Sequence, residues 1–172
     1  MKQPSLLKIF KLLEQMEKEG ILSQWAIGGS IGVMFYTEPY LTKDIDIFLY
    51  VKPTRTGLID MGFIYDCLRD KGYSKFKGQS IIVKDWLVDF IPTKEGLIDE
   101  AVFKSNIFKI NNIKINVMSP EYLIALAFES GRKQDYAKVE KILQQSNINK
   151  KKLTRILKKF GLYEKWETYE QV

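Results

Sequence analysis

The sequence predicts an α+β fold, a β-sheet flanked by helices and followed by a C-terminal helical segment. Three observations predict it. Short apolar or alternating stretches recur near residues 21–27, 44–48, 81–83, 86–91, 102–109 and 113–117, and read as strands. Apolar residues at helical spacing precede and separate them, supplying the flanking helices. From Ser119 onward only helical spacing remains. We therefore divide the chain into a core at 1–118 and a helical region at 119–172 packed on it.

The elements follow in order. Residues 5–19 form an amphipathic helix, with Leu6, Ile9, Phe10, Leu13 and Met16 on one face, Ser5 as N-cap and Gly20 as stop. Ile21 to Ile27 is a strand, the turn Gly28-Gly29-Ser30 opens a helix, and Thr37 to Leu41 is a loop. Asp44-Ile45-Asp46-Ile47-Phe48 alternates acid and apolar, the pattern of a strand. Lys52 to Gly57 is a polar turn, and Leu58 to Lys71 a helix with Ile59, Phe63, Ile64 and Leu68 inward and Cys67 structural. Tyr73 to Lys77 is a short strand. Ile81 to Val83 and Trp86 to Ile91 form a hairpin around Lys84-Asp85. Glu95 to Ala101 is a connection with short helical turns. Val102 to Lys109 and Ile113 to Val117 form a hairpin around Asn111-Asn112. Ser119-Pro120-Glu121 starts a helix sharply, with an N-cap, a proline at the first position and an acid in the first turn. Gly131 ends that helix. Lys133 to Gln145 forms the next, with Tyr136, Val139 and Leu143 on one face. Residues 149–160 carry six basic residues and no acid, with Leu153, Ile156, Leu157 and Phe160 as an apolar stripe. This is a basic amphipathic helix, whose outer face is either simply solvated or able to meet RNA phosphate. Tyr163 to Tyr169 is a short aromatic helix.

Composition bounds the chemistry. The 172 residues suffice for a domain with a real core, and 45% apolar with 28% charged residues is a globular balance. No apolar run approaches the ~20 residues that span a bilayer. The first twenty residues carry charge every few positions and no small-residue cleavage site, which reads against a signal peptide and makes the cytoplasm the default. The single cysteine excludes a disulfide framework within the chain. The absence of histidine excludes His-based triads and His-ligated zinc, leaving a carboxylate, lysine or tyrosine as any general base. A net charge of +6 suits a phosphate-rich substrate or nucleic acid.

The chemistry gathers between Gly28 and Phe48. Asp44 and Asp46 share one face of a strand, roughly 6–7 Å apart at a rise of about 3.3 Å per residue. Two neighbouring carboxylates repel unless a cation sits between them. A hard ion such as Mg²⁺, held by carboxylates and phosphate oxygens, suits that geometry. Gly28 and Gly29 permit a sharp turn and close approach of a ligand, and a helix opening at Ser30 favours phosphate. Each half has a bland alternative, a strand–helix turn and a solvated strand edge. Asp89, alone in the apolar strand Trp86 to Ile91, is costly to bury without a partner. It is either a strand-end residue satisfied by backbone donors or the third carboxylate of one metal site, as two-metal phosphoryl chemistry requires.

Gly28-Gly29-Ser30, thirteen residues, Asp44-x-Asp46 and then a strand bearing Asp89 resemble the nucleotidyltransferase superfamily with a DNA polymerase β-like catalytic core. Val88-Asp89-Phe90-Ile91-Pro92, the Ser119-Pro120-Glu121 helix and Gly131-Arg132-Lys133-Gln134-Asp135 resemble its small prokaryotic members, related to abortive-infection toxins. The resemblance covers residues 20–145. It implies the nucleotidyltransferase fold, with Asp44, Asp46 and Asp89 catalytic and binding Mg²⁺ or Mn²⁺. It further implies Gly28, Gly29 and Ser30 on the triphosphate, and Arg132 and Asp135 near the nucleotide. The chain departs from the pattern at Lys138, where members often carry a second acid. Lys77 and Lys84 are candidates for a lysine that some members use.

The expected activity is Mg²⁺-dependent transfer of a nucleoside monophosphate from a triphosphate, ATP among the four candidates, to an acceptor hydroxyl on RNA such as tRNA, on a protein or on a small molecule. The resemblance also implies a toxin with a cognate antitoxin. The alternatives are a non-catalytic nucleotide- or partner-binding protein of the same fold, and a basic RNA-binding domain in which the acids are incidental.

Overall fold

Alternation of buried and half-exposed residues along the strands builds a sheet with two different faces. The computed structural model describes residues 3–93 and 95–171. Its elements are α1 (Gln3–Lys18), β1 (Gln24–Ile27), α2 (Gly29–Met34), β2 (Asp44–Tyr50), α3 (Gly62–Asp70), β3 (Phe76–Lys77), β4 (Ser80–Val83), β5 (Trp86–Pro92), α4 (Leu97–Phe103), β6 (Asn106–Ile110), β7 (Ile113–Val117), α5 (Pro120–Ser130), α6 (Lys133–Gln145), α7 (Lys150–Lys159) and α8 (Tyr163–Glu170). The strands form one seven-stranded sheet in the order β3-β4-β5-β2-β1-β7-β6. Pairings β2·β5 and β1·β7 are parallel and the others antiparallel, so the sheet is mixed and the fold is α+β.

One face, carrying Trp25, Ile27, Ile45, Ile47, Val88 and Phe90, packs with Ile9, Leu13 and Met16 of α1 and Ile64 and Leu68 of α3. The other carries Ala26 and Phe48 and packs against α4 and α5, with α6, α7 and α8 completing that layer. Helix α5 is apolar nearly all round, which fits its burial between sheet and outer helices. Phe128 of α5 meets Tyr136, Trp166 and Tyr169 at centroid distances of 5.2–5.5 Å, tying α6 and α8 to it.

Several elements differ from the sequence reading. Helix α1 begins at Gln3, so Ser5 is not its N-cap. Strand β1 starts at Gln24 instead of Ile21, because the Ile21 and Leu22 amides donate back to the Met16 carbonyl. Helix α3 starts at Gly62. Asp60 Oδ1 accepts the Gly62 N–H at 2.8 Å in an Asx turn, and Leu58 and Phe63 stay exposed. Val102 ends a helix instead of starting a strand. Leu97, Ala101 and Val102 are buried on one side of α4, so helical packing overrides the β preference of Val102-Phe103. On α6 the inward residue is Ile142, not Leu143. Ser119 sits at the N-cap of α5, but its hydroxyl bonds Glu121 and Lys152 and no backbone N–H. Asn111 and Asn112 both have positive φ, as a tight hairpin turn demands.

Candidate active site

Strand pairing places the acids. In the parallel register of β2 and β5, Asp46 lies directly opposite Asp89, and Asp44 lies one pleat away on the same face. Ile45, Ile47, Val88 and Phe90 point to the opposite, buried face. Among the described residues, none of the three carboxylates accepts a side-chain hydrogen bond or an ion pair from a basic group. Glu100 and Glu121, on the same side of the sheet, have cations of their own. Glu100 receives Lys104, Lys159 and the Tyr122 hydroxyl. Glu121 receives Lys152 at 2.9 Å and Ser119 at 2.7 Å. Burial first, then the charge of Asp89, pushes the Asp46 carboxyl above the ordinary aspartate range; Lys138 and Arg132 oppose the rise, and Asp44 adds to it.

The glycine turn lies against these acids. The Gly28 N–H donates to the Asp46 carbonyl at 3.0 Å, anchoring the turn to β2. Gly29 has φ +53°, and a Cβ there would collide with the Asp46 carboxylate. Only glycine satisfies both conditions. The first intrahelical bond of α2 runs from the Gly32 N–H to the Gly28 carbonyl, so the N–H groups of Gly29, Ser30 and Ile31 stand ahead of it. The Tyr40 hydroxyl donates to the Ser30 carbonyl at 3.2 Å.

The third part is the junction of α5 and α6. Asp135 is 4% exposed and lies in the first turn of α6. It accepts from Ser130 Oγ at 2.6 Å, Arg132 Nε at 2.8 Å and Lys138 Nζ at 2.8 Å. Burial alone would raise its pKa; the bonds from Lys138, Ser130 and Arg132 outweigh it and hold the carboxyl below its ordinary range. Gly131 turns the chain in the left-handed conformation between the helices. Asp135 therefore positions two cations.

A cleft of about 410 Å³ joins these parts. Gly29, Asp46, Glu129, Ser130, Arg132, Asp135 and Lys138 supply its polar lining, and Val33, Phe48, Ile91, Ile98, Leu123, Leu126 and Ala127 its apolar lining. Gly28, Ser30, Asp44 and Asp89 adjoin this cleft through their neighbours and do not line it. Lys77 is exposed on β3, and Lys84 lies over the Tyr73 ring at 5.8 Å; neither lines the cleft. The sequence reading missed Lys138 and Ser130 as members of the site. The i,i+3 spacing from Asp135 to Lys138 was the available signal.

The donor set suits a hard divalent ion. Asp46 and Asp89 offer only oxygen ligands and lack any compensating cation in direct contact, and Asp44 is one pleat distant. Among the described residues no three acidic, thiol or imidazole groups converge into a ready-made cage.

Residues 5–170 match the family described as "Nucleotidyl transferase of unknown function (DUF2204)". The chain belongs to this nucleotidyl transferase family. Solved structures agree in fold. A nucleotidyltransferase-like protein from Paracoccidioides brasiliensis is 14% identical with a TM-score of 0.58, over 81% of this chain and 74% of that one. The antibiotic-resistance factor ANT(2'')-Ia is 15% identical with a TM-score of 0.58, over 99% of each chain. Its structure in complex with adenylyl-2"-tobramycin gives 15% identity and a TM-score of 0.55, over 92% of this chain and 97% of that one. No curated protein sequence matches. In this nucleotidyltransferase, no helix of the described residues is long and apolar enough to cross a membrane.

Proposed function

We propose that this nucleotidyltransferase moves a nucleoside monophosphate from a nucleoside triphosphate to an acceptor hydroxyl, with Asp44, Asp46 and Asp89 as its catalytic carboxylates. The observation that carries the reading is Asp46, paired in register with Asp89 and without a cation in direct contact, in the lining of a cleft that Arg132 and Lys138 also line. Carboxylate oxygens and cations lining one cleft suit a metal-bound polyphosphate better than any single ion.

In this reading Asp44, Asp46 and Asp89 would hold Mg²⁺ or Mn²⁺, with phosphate oxygens of the substrate completing its ligands. Bound metal supplies neutralisation of charge on the phosphoryl oxygens. Asp89, beside Asp46, accepts the proton of the attacking hydroxyl. That oxygen forms a bond to the α-phosphorus as the bond from the α-phosphorus to its bridging oxygen breaks, and pyrophosphate departs with the electron pair. Arg132, whose planar fork suits phosphate, and Lys138 stabilise the departing charge. Gly29 and Ser30 bring backbone N–H groups to the triphosphate, and Gly28, tied to the Asp46 carbonyl, holds the turn that presents them. Asp135 holds the two cations in place. The apolar wall of Phe48, Ile91, Leu123 and Leu126 excludes water and offers a surface for a base or an acceptor ring.

The acceptor belongs to RNA (tRNA included), protein or a small molecule. The fold neighbour bound to an adenylylated aminoglycoside supports the small-molecule option. A single cysteine in the whole chain supports a cytoplasmic enzyme. The resemblance to abortive-infection toxins makes a toxin with a cognate antitoxin part of the proposal. Growth arrest on induced expression, absent for Asp44→Asn/Asp46→Asn, is the result expected of it.

Calorimetric titration of the four nucleoside triphosphates, ATP included, tests the core of the reading. Mg²⁺-dependent binding by the wild type that is lost with chelator and in Asp44→Asn/Asp46→Asn supports it. Triphosphate binding that ignores both the chelator and the variant overturns it.

A further inference from the structure

Helix α7 divides its basic residues between two jobs. Leu153, Ile156 and Leu157 face the core. Lys152 reaches the buried Glu121 at 2.9 Å and Ser119 at 2.8 Å, and Lys159 pairs with Glu100. These two lysines fasten the helix to α5 and α4. Lys150, Lys151, Arg155 and Lys158 are exposed, and among the described residues none forms an ion pair. Lys158 lies over the Tyr163 ring at 4.8 Å, a contact that leaves its charge uncompensated. At 100° per residue Lys151, Thr154, Arg155 and Lys158 fall on one stripe opposite the buried one, and Lys150 flanks it. With Lys159 they line a shallow groove on the surface.

We propose that this outer face of α7 binds the phosphate backbone of a nucleic acid. The stripe from Lys151 to Lys158 is about 10 Å long at 1.5 Å per residue, enough to follow a few successive phosphates. Its four cations have no acidic partner among the described residues, and they concentrate the chain's +6 net charge. An anionic membrane fits less well. A membrane-surface helix inserts an apolar face, whereas the apolar face of α7 is occupied by the core. None of the residues lining the groove is aromatic, so it reads charge and spacing without reading bases. This surface does not depend on the transfer reaction.

The test is fluorescence anisotropy with labelled single-stranded oligo(U), single-stranded DNA and duplex RNA, in chelator so that the metal site plays no part. With four phosphate contacts, log K falls with log salt at a slope of about −2.8 on single strands, or about 50-fold between 50 and 200 mM salt. In Lys150→Gln/Lys151→Gln/Arg155→Gln/Lys158→Gln, binding falls at least tenfold at 100 mM salt and the slope flattens toward zero. Glutamine keeps helix propensity, and circular dichroism checks the fold. Lys8→Gln/Lys11→Gln/Lys75→Gln/Lys84→Gln removes the same charge from other exposed positions and retains the wild-type slope. The three probes separate single-strand from duplex and RNA from DNA sources of the same phosphate chemistry. Equal losses in both quadruple variants, wild-type affinity in the α7 variant, or no oligonucleotide binding by the wild type overturns the proposal. So does tighter binding of poly-glutamate than of any oligonucleotide, which would assign the face to an acidic protein.

Discussion

Asp46→Asn removes one of two facing negative charges while keeping side-chain shape, so the Gly29 contact survives. Strands β2 and β5 lie about 5 Å apart, and two carboxylates at that distance repel by about 3 kcal/mol at an effective dielectric near 20. Partial exposure and the opposing charges of Lys138 and Arg132 reduce this to about 1–2 kcal/mol. The Asp46 pKa is raised in the fold, so the native state holds its proton more tightly than the unfolded chain. Stability therefore falls as pH rises above the ordinary value of 3.8, and at neutral pH ionised Asp46 is a net cost. In chelator at pH 7, Asp46→Asn is expected to melt about 2–8 °C higher than the wild type, at about 2–4 °C per kcal/mol for a chain of this length. The gain should vanish below pH 3.8, where the wild-type carboxyl is protonated in both states. Millimolar Mg²⁺ or Mn²⁺ should raise the wild-type midpoint and leave the variant unmoved. Differential scanning calorimetry reads all three. A variant less stable than the wild type in chelator, or one that responds equally to the ions, refutes the reasoning.

Other substitutions probe the remaining parts of the site. Gly29→Ala forces a Cβ into the Asp46 carboxylate at φ +53°, and should cost about 1–3 kcal/mol in denaturant melts and abolish Mg²⁺-dependent triphosphate binding. Lys138→Gln and Arg132→Gln should each weaken triphosphate affinity about tenfold by calorimetry, consistent with loss of one charge-assisted contact. Asp135→Asn should weaken it through misplacement of both cations, and urea melts should show a cost of about 2–4 kcal/mol because buried bonds are lost. Glu100 is set in a site whose burial would raise its pKa, but bonds from Lys159, Tyr122 and Lys104 bring it down to about 2. Its contribution is complete above pH 4.5 and is lost as pH falls toward about 2. Glu100→Gln should flatten the stability profile across that window in acid titrations followed by circular dichroism.

The α+β fold was legible in the sequence because its strands follow simple periodicities, and the nucleotidyltransferase fold because Gly28-Gly29-Ser30, Asp44-x-Asp46 and Asp89 resemble that superfamily's pattern. Asp44-Ile45-Asp46-Ile47 alternates cleanly, and the two-residue period of a strand alone puts both acids on one face. The helix ends at Ser119-Pro120 and Gly131 were legible because proline and glycine act locally. The local code failed where packing chose between states. Val102-Phe103 prefers strand in isolation, yet burial of Leu97, Ala101 and Val102 on one side keeps it helical. Leu58 looks like helix, but the Asx turn at Asp60 defers the start to Gly62. Ile142 and Leu143 are adjacent and equally apolar, and only the direction from which α5 approaches α6 decides which is buried.

The sequence by itself marked out the candidate residues, namely three acids, a glycine turn and Arg132 three residues before Asp135. It also determined what is absent, since a chain without histidine and with one cysteine must meet a metal chiefly with oxygen. Tertiary structure alone decided which groups share a cleft. The parallel register sets Asp46 opposite Asp89 across forty-three residues of chain, a pairing no local pattern encodes. The turn between α5 and α6 brings Lys138 to the same cleft as Asp46. Folding likewise split one run of six basic residues into two that neutralise buried Glu121 and half-buried Glu100 and four left facing solvent. Charge is written in the sequence, but whether a charge is neutralised inside the fold depends on distance, and distances between remote residues exist only once the chain has packed.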